Sequence, residues 1–220
     1  MYDSLTPFNK SLKLLKHDTG NSIDLANLEH HRSLLRWLND WGCRHLARDQ
    51  HHVASRSIRD WYLADGATLF ADTIATWELE DFDLETAARV YGALKDMAAA
   101  RRVRAGRNLD VSIGPTAASK ILFAIRPKAL MPWDEAMRVA FECDGSPDSY
   151  FKYLGEIKHL TSHIGNLCRK KGFQVDDLPQ RLGRPESTAL ALINEYLWVT
   201  VTRKVRLPSS ETIRQWASLS

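Results

Sequence analysis

Apolar residues recur at three- and four-residue spacing over most of the chain, the pattern of helices that bury one face. A helix is predicted from a cap at Asn21 or Ser22 to about Trp41, with Ile23, Leu28, Leu34, Leu35 and Leu38 inward and Gly42 at its end. Two more follow, at about 49–64, stopping at Asp65-Gly66, and at about 67–78. Asp83 can cap a long helix from Leu84 to about Arg104, with Ala87, Val90, Leu94 and Met97 inward and Gly106 ending it. Helices are also predicted over 115–126, 134–143, 148–171 and 186–199, and after Pro208. Strand signals are scarce: Val199 to Val205 reads as one short strand or an extended arm. The expectation is an all-α chain, a two-lobed helical bundle forming a single unit over 1–220, with lobe crossings at 127–133 and 144–147.

Composition adds little except through cysteine and charge. The 220 residues suffice for one or two compact domains, and no apolar run approaches the length that spans a bilayer. The N-terminus lacks a charged region followed by a long apolar stretch, so no signal peptide is expected. The three cysteines, Cys43, Cys143 and Cys168, form no CxxC, which points to free thiols in a reducing cytoplasm. They also exclude a four-cysteine iron–sulfur cluster supplied by this chain alone. The net charge of +3 hides an asymmetry. Residues 72–85 carry six acids and no Lys or Arg. Residues 101–128 carry seven bases (Arg101, Arg102, Arg104, Arg107, Lys120, Arg126 and Lys128) against Asp110 alone. A local excess of that kind draws a polyanion.

The basic block overlaps the stretch Ser112 to Arg138, which holds two features of chemical interest. Gly114 permits a tight turn, Pro115 fixes the first helical position, and Ala117, Ala118, Ile121, Leu122 and Ile125 form an apolar stripe. The first amides of such a helix point outward with partial positive charge and can seat a phosphate. Twenty residues on, Asp134 stands at an N-cap position after Pro132 and Trp133. Amides of the following turn favour a carboxylate there, and a cap that faces a pocket can also stabilise a cationic sugar or orient a water. Nothing points to a metal or other cofactor, because the pairs His30-His31 and His51-His52 project to different helix faces.

The order of turn, small-residue helix, proline-containing loop, hydrophobic–Asp and helix resembles the helix-hairpin-helix DNA glycosylase superfamily. Ser112-Ile113-Gly114 stands where that family has its hairpin turn, Ala117-Ala118 matches its small pair, and Pro132-Trp133-Asp134 matches its aspartate motif, with Arg138 near its downstream basic residue. The segment aligns with the endonuclease-three branch without a gap between turn and aspartate, over about residues 108–142. The departures are Ser112 for the first turn glycine, Glu135 for the threonine after the aspartate, and Thr116 where bifunctional members carry a lysine nucleophile. Lys120 lies one helical turn beyond Thr116 on the same face, which leaves a substitute nucleophile open; the more natural implication is a monofunctional enzyme.

The resemblance implies a cytoplasmic DNA glycosylase without iron–sulfur cluster. It would bind duplex DNA through Ser112, Ile113, Gly114, Thr116, Lys120, Arg101, Arg102, Arg104 and Arg107, flip a base into a cleft, and hydrolyse its N-glycosidic bond with Asp134 as the catalytic carboxylate. Trp133 and Arg138 are the pocket candidates. Uracil, oxidised purines, alkylated bases and hypermodified phage bases are all admissible, so base-excision repair and defence against modified viral DNA both fit. The rivals are a non-enzymatic protein using the hairpin as a phosphate clamp, and an all-α interaction module whose basic block meets an acidic partner or the 72–85 segment of another copy.

Overall fold

The computed structural model describes residues 11–67, 83–104, 107–209 and 211. The fold is mainly helical, with one small two-stranded sheet. Helix α1 covers 11–18, and α2 runs Leu28–Asp40 behind an N-cap at Asn27, whose side chain accepts from the Glu29 amide. The predicted start at Asn21 or Ser22 is therefore too early: Asn21 takes a left-handed φ of 64°, which turns the chain between α1 and α2. Leu34, Leu35, Trp37 and Leu38 of α2 enter the core as the periodicity requires. A 3₁₀ turn at Arg48–Gln50 leads into α3, His51–Trp61, and a wide turn over Tyr62–Gly66 closes it. The helix expected over 67–78 and the acidic segment up to 82 lie outside the described residues, as does nearly all of the last predicted helix.

Asp83 caps α4, Leu84–Asp96, as expected, its carboxylate accepting from the Glu85 and Thr86 amides. The helix then stops eight residues earlier than the Leu84-to-Arg104 reading required. Met97 adopts an extended backbone (ψ 144°), and the chain continues as β1, Ala98–Arg104, pairing antiparallel with β2, Arg107–Ser112. Arg104 opposes Arg107 at the tip, and Ala98 opposes Ser112 at the base. The run "AAARRVR" is a good helix former by propensity. Here the ladder to β2 overrides it, and a clamp from α3 adds to the override: the Gln50 side chain accepts from the Arg101 amide and donates to its carbonyl. The chain therefore reaches the Gly114 turn from a strand and not from the expected helix.

Helix α5, Gly114–Ile125, sits at the centre of the molecule. Its predicted stripe is inward, and Ser119, Lys120 and Phe123 are buried with it. The short α6, Glu135–Ala140, follows a loop that the core holds firmly. Helix α7, Pro147–Lys170, supplies two tyrosines to that loop: Tyr150 donates to the Met131 carbonyl and Tyr153 to the Pro132 carbonyl, each at 3.0 Å. Tyr91 of α4 donates to Gly145 at 2.8 Å and stacks on Tyr150. Three buried phenols thus fix both ends of the segment that carries Asp134. After α8, Leu178–Arg181, helix α9, Ala189–Leu197, starts at a Thr188 cap and opens into a wide turn over Trp198–Thr202. The strand or arm expected at 199–205 is therefore helical in its first part. No helix among the described residues is long and apolar enough to cross a membrane.

Candidate functional site

The Gly114 turn and Asp134 meet in space because Trp133 joins them. Its indole Nε1 donates to the Pro115 carbonyl at 3.1 Å, and its amide donates to Ser119 Oγ at 3.2 Å. The ring packs edge-on against Tyr91 and Tyr150, and Trp133 is only 1% exposed. Trp133, a pocket candidate from sequence, does line the cavity, but as a core residue that sets the geometry of its wall.

Gly114 takes φ +77°, the left-handed conformation that a side chain resists. A Cβ there would meet only His45 Nε2, at 3.7 Å, so the requirement for glycine is conformational and not steric. His45 Nε2 donates to the Ile113 carbonyl at 2.7 Å, and Ile113 itself is fully buried, which leaves only its backbone to contribute to any ligand surface. Gly114→Val is expected to cost roughly 1–3 kcal/mol of stability through backbone strain, which denaturant titration checks.

Around these residues lies a cavity of about 660 Å³. Its floor is the start of α5 (Gly114, Pro115, Thr116) with Lys120 one turn in, and its wall is Asp134 with Arg138. Asp134 caps α6, its Oδ1 accepting from the Met137 amide at 2.8 Å. Its Oδ2 accepts from Thr202 Oγ1 at 2.7 Å, across 68 residues of sequence. Each carboxylate oxygen has one described partner, and the group is held rigidly while still facing the cavity.

Lys120 is the largest departure from expectation. It is 5% exposed, and so is no surface contact for a phosphate. Its Nζ donates to the Trp41 carbonyl at 2.5 Å and lies 4.4 Å from the centroid of the Trp41 ring. Burial pushes its pKa below a lysine's ordinary 10.5, against the opposing pull of Cys43 and Asp134. The lining of the cavity thus holds both a buried amine and a capping carboxylate.

The remaining predicted residues divide by burial. Arg101, Arg102 and Arg107 are exposed on the sheet, and the Arg101–Asp110 pair at 3.6 Å is solvated on both sides. Arg104 joins the same ladder at its tip. Ser112 is exposed at the cavity rim, where Val111 also contributes, so the sheet rises from the mouth. Arg138 is half-buried with its Nε lacking a partner, and its Nη1 would lie 2.8 Å from a Cβ on Gly145, which takes φ +87°. Glycine at 145 is what lets this guanidinium pass.

The sequence reading missed Trp41, His45, Asn194, Trp198 and Thr202 as cavity or support residues. Trp41 and Trp198 stand at helix ends with no local pattern to mark them, and Thr202 lies in a run that reads as a strand. Among the described residues no group of His, Cys, Asp or Glu side chains is placed to hold a metal. His31 is buried against Ser55 and the Leu25 carbonyl, and His30 accepts from the Asp24 amide, so this pair is structural. The cysteines are unpaired. No protein-family model, curated protein or solved structure matches the chain, and its function has to be read from this cavity.

Proposed function

We propose that this chain is a monofunctional DNA glycosylase related to the helix-hairpin-helix kind, in which the β1–β2 ladder stands where the first helix of that motif would lie, with the cavity as its base-binding cleft. The observation that carries the reading is the meeting of Asp134 and Lys120 in one base-sized cavity at the start of α5. A volume of about 660 Å³ suits a nucleotide-sized ligand.

In this mechanism a nucleotide leaves the stack and its base enters the cavity. The C1′–N bond breaks with positive charge growing on the sugar, which the fixed Asp134 carboxylate stabilises. Water adds to C1′ and gives its proton to Asp134. The departing ring nitrogen takes a proton from Lys120 Nζ, whose lowered pKa makes it a stronger acid than a solvated lysine. Solvent then returns the transferred proton from Asp134 to Lys120, and an abasic site remains. Thr202 orients the carboxylate, and the Trp41 carbonyl holds the amine.

DNA would be held by Arg102 and Arg107, which share one face of the ladder, and by the amides of the α5 N-terminus; Arg101 lies on the other face with Asp110. The five steps from Ser112 to Arg107 span about 17 Å at strand rise, enough to lie along several nucleotides beside the cavity mouth. Replacing Arg102 and Arg107 with alanine together should flatten the dependence of log K on log salt by about 2, near 0.9 for each phosphate no longer neutralised. A fluorescence-anisotropy series in rising salt measures it; an unchanged slope removes the sheet from the DNA interface.

A further inference from the structure

Asn194 is a buried polar group that faces the cavity and is idle in the mechanism. It is 4% exposed and lines the same wall as Trp198. Among the described residues no hydrogen bond holds its side-chain amide, and the amide is not one of the fully enclosed unpaired groups, so it keeps access to the cavity it lines. Its helix is firmly placed. Thr188 caps α9 at one end, and the neighbouring Glu195, 6% exposed, makes a two-pronged ion pair with Arg184. The amide is therefore carried on a rigid element that lines the cavity.

An amide of this kind satisfies a ligand edge that presents an N–H donor and an acceptor side by side, as nucleobases do. Lys120 adds a second constraint. Its ammonium can donate to an acceptor atom of a ligand, and the lining as a whole sets Lys120 and Arg138 against Asp134 and Glu135. Aromatic surface from Trp41 and Trp198 suits a flat ring.

We infer that Asn194 selects the base: the cavity takes a nucleobase with an unblocked donor–acceptor edge and rejects one whose edge is blocked. This rests on the glycosylase reading for its reaction but not for its binding. It narrows the admissible substrates to bases that keep that edge open, whether uracil-like, oxidised or side-chain-modified. A polar group left unpaired by a mismatched ligand gives strong discrimination, larger than an apolar wall achieves.

The test uses two readouts on the full chain. Binding of free uracil and hypoxanthine is followed by tryptophan fluorescence, with 3-methyluracil and 1-methylhypoxanthine as edge-blocked controls. Wild type should bind the open-edged bases at least tenfold more tightly than the blocked ones. Asn194→Ala should lose that preference. Asn194→Asp, which keeps size and acceptors but removes the donor, should also lose it, and circular dichroism confirms that both are folded. In parallel, base release is measured from duplexes containing uracil, hypoxanthine, 8-oxoguanine or 7-methylguanine. Edge-selective binding that depends on Asn194, with no base released from these duplexes or from phage DNA carrying modified bases, supports the inference and defeats the glycosylase reading. Equal binding of open and blocked bases by wild type overturns the inference whatever becomes of the reaction.

Discussion

Asp134→Asn should lower the rate of base release by about 10²–10³-fold or more while leaving the protein folded and bound to DNA. The substitution is nearly isosteric. Asparagine is as good an N-cap as aspartate, so its side-chain oxygen can still accept from the Met137 amide. The Thr202 hydroxyl can rotate to accept from the new amide where it now donates to Oδ2. Stability should therefore move by less than about 1 kcal/mol. Only the negative charge facing the cavity is lost, and that charge is what a cationic sugar needs. If the variant keeps full activity, the carboxylate is a cap and no more.

The second large effect belongs to Lys120. Lys120→Met should reduce base release by about 10²–10⁴-fold, the range for loss of a positioned proton donor. Its stability signature separates the role from mere packing. The folded-state pKa lies below the unfolded value, so the unfolded chain binds more protons between the two. The destabilisation from burying the ammonium is thus full below the folded pKa. It is relieved as pH rises from there toward the ordinary 10.5. Wild-type stability measured by denaturant should climb over that alkaline window relative to Lys120→Met, which has nothing to titrate at this position. Activity runs the other way: release should fall as pH rises through the lowered pKa and the acid is lost. A covalent complex trapped by borohydride on Lys120 would contradict the acid role and make the amine a nucleophile.

Much of this was legible from periodicity, and the failures have physical causes. The caps at Asp83 and Asp134 were readable because a capping carboxylate is a local device, completed within three residues. The cut-off at Asp96 was not, because β1 is made of helix-forming residues and depends on a partner strand and on Gln50, which lies 51 residues from Arg101. Lys120 illustrates the same limit. On a helical wheel it belongs to the polar edge of a basic block, and only the approach of Trp41, 79 residues away, encloses it. Sequence brought Asp134 and Gly114 forward as a pair; the link through Trp133 is a tertiary fact. Thr202 and Asn194 carried no signal, since each matters through what faces it across the cavity.

The measurement that bears most directly on the central claim is base release from natural DNA. Wild type and Asp134→Asn are incubated with genomic DNA from several sources, phages with modified bases among them. Abasic sites are then cleaved with mild alkali and freed bases are identified by mass. The account predicts a freed base from wild type alone, with alkali-sensitive sites in matching amount. DNA bound by both proteins with no base freed by either would contradict it and leave a phosphate clamp; no binding at all would leave a helical protein whose basic sheet meets some other acidic partner.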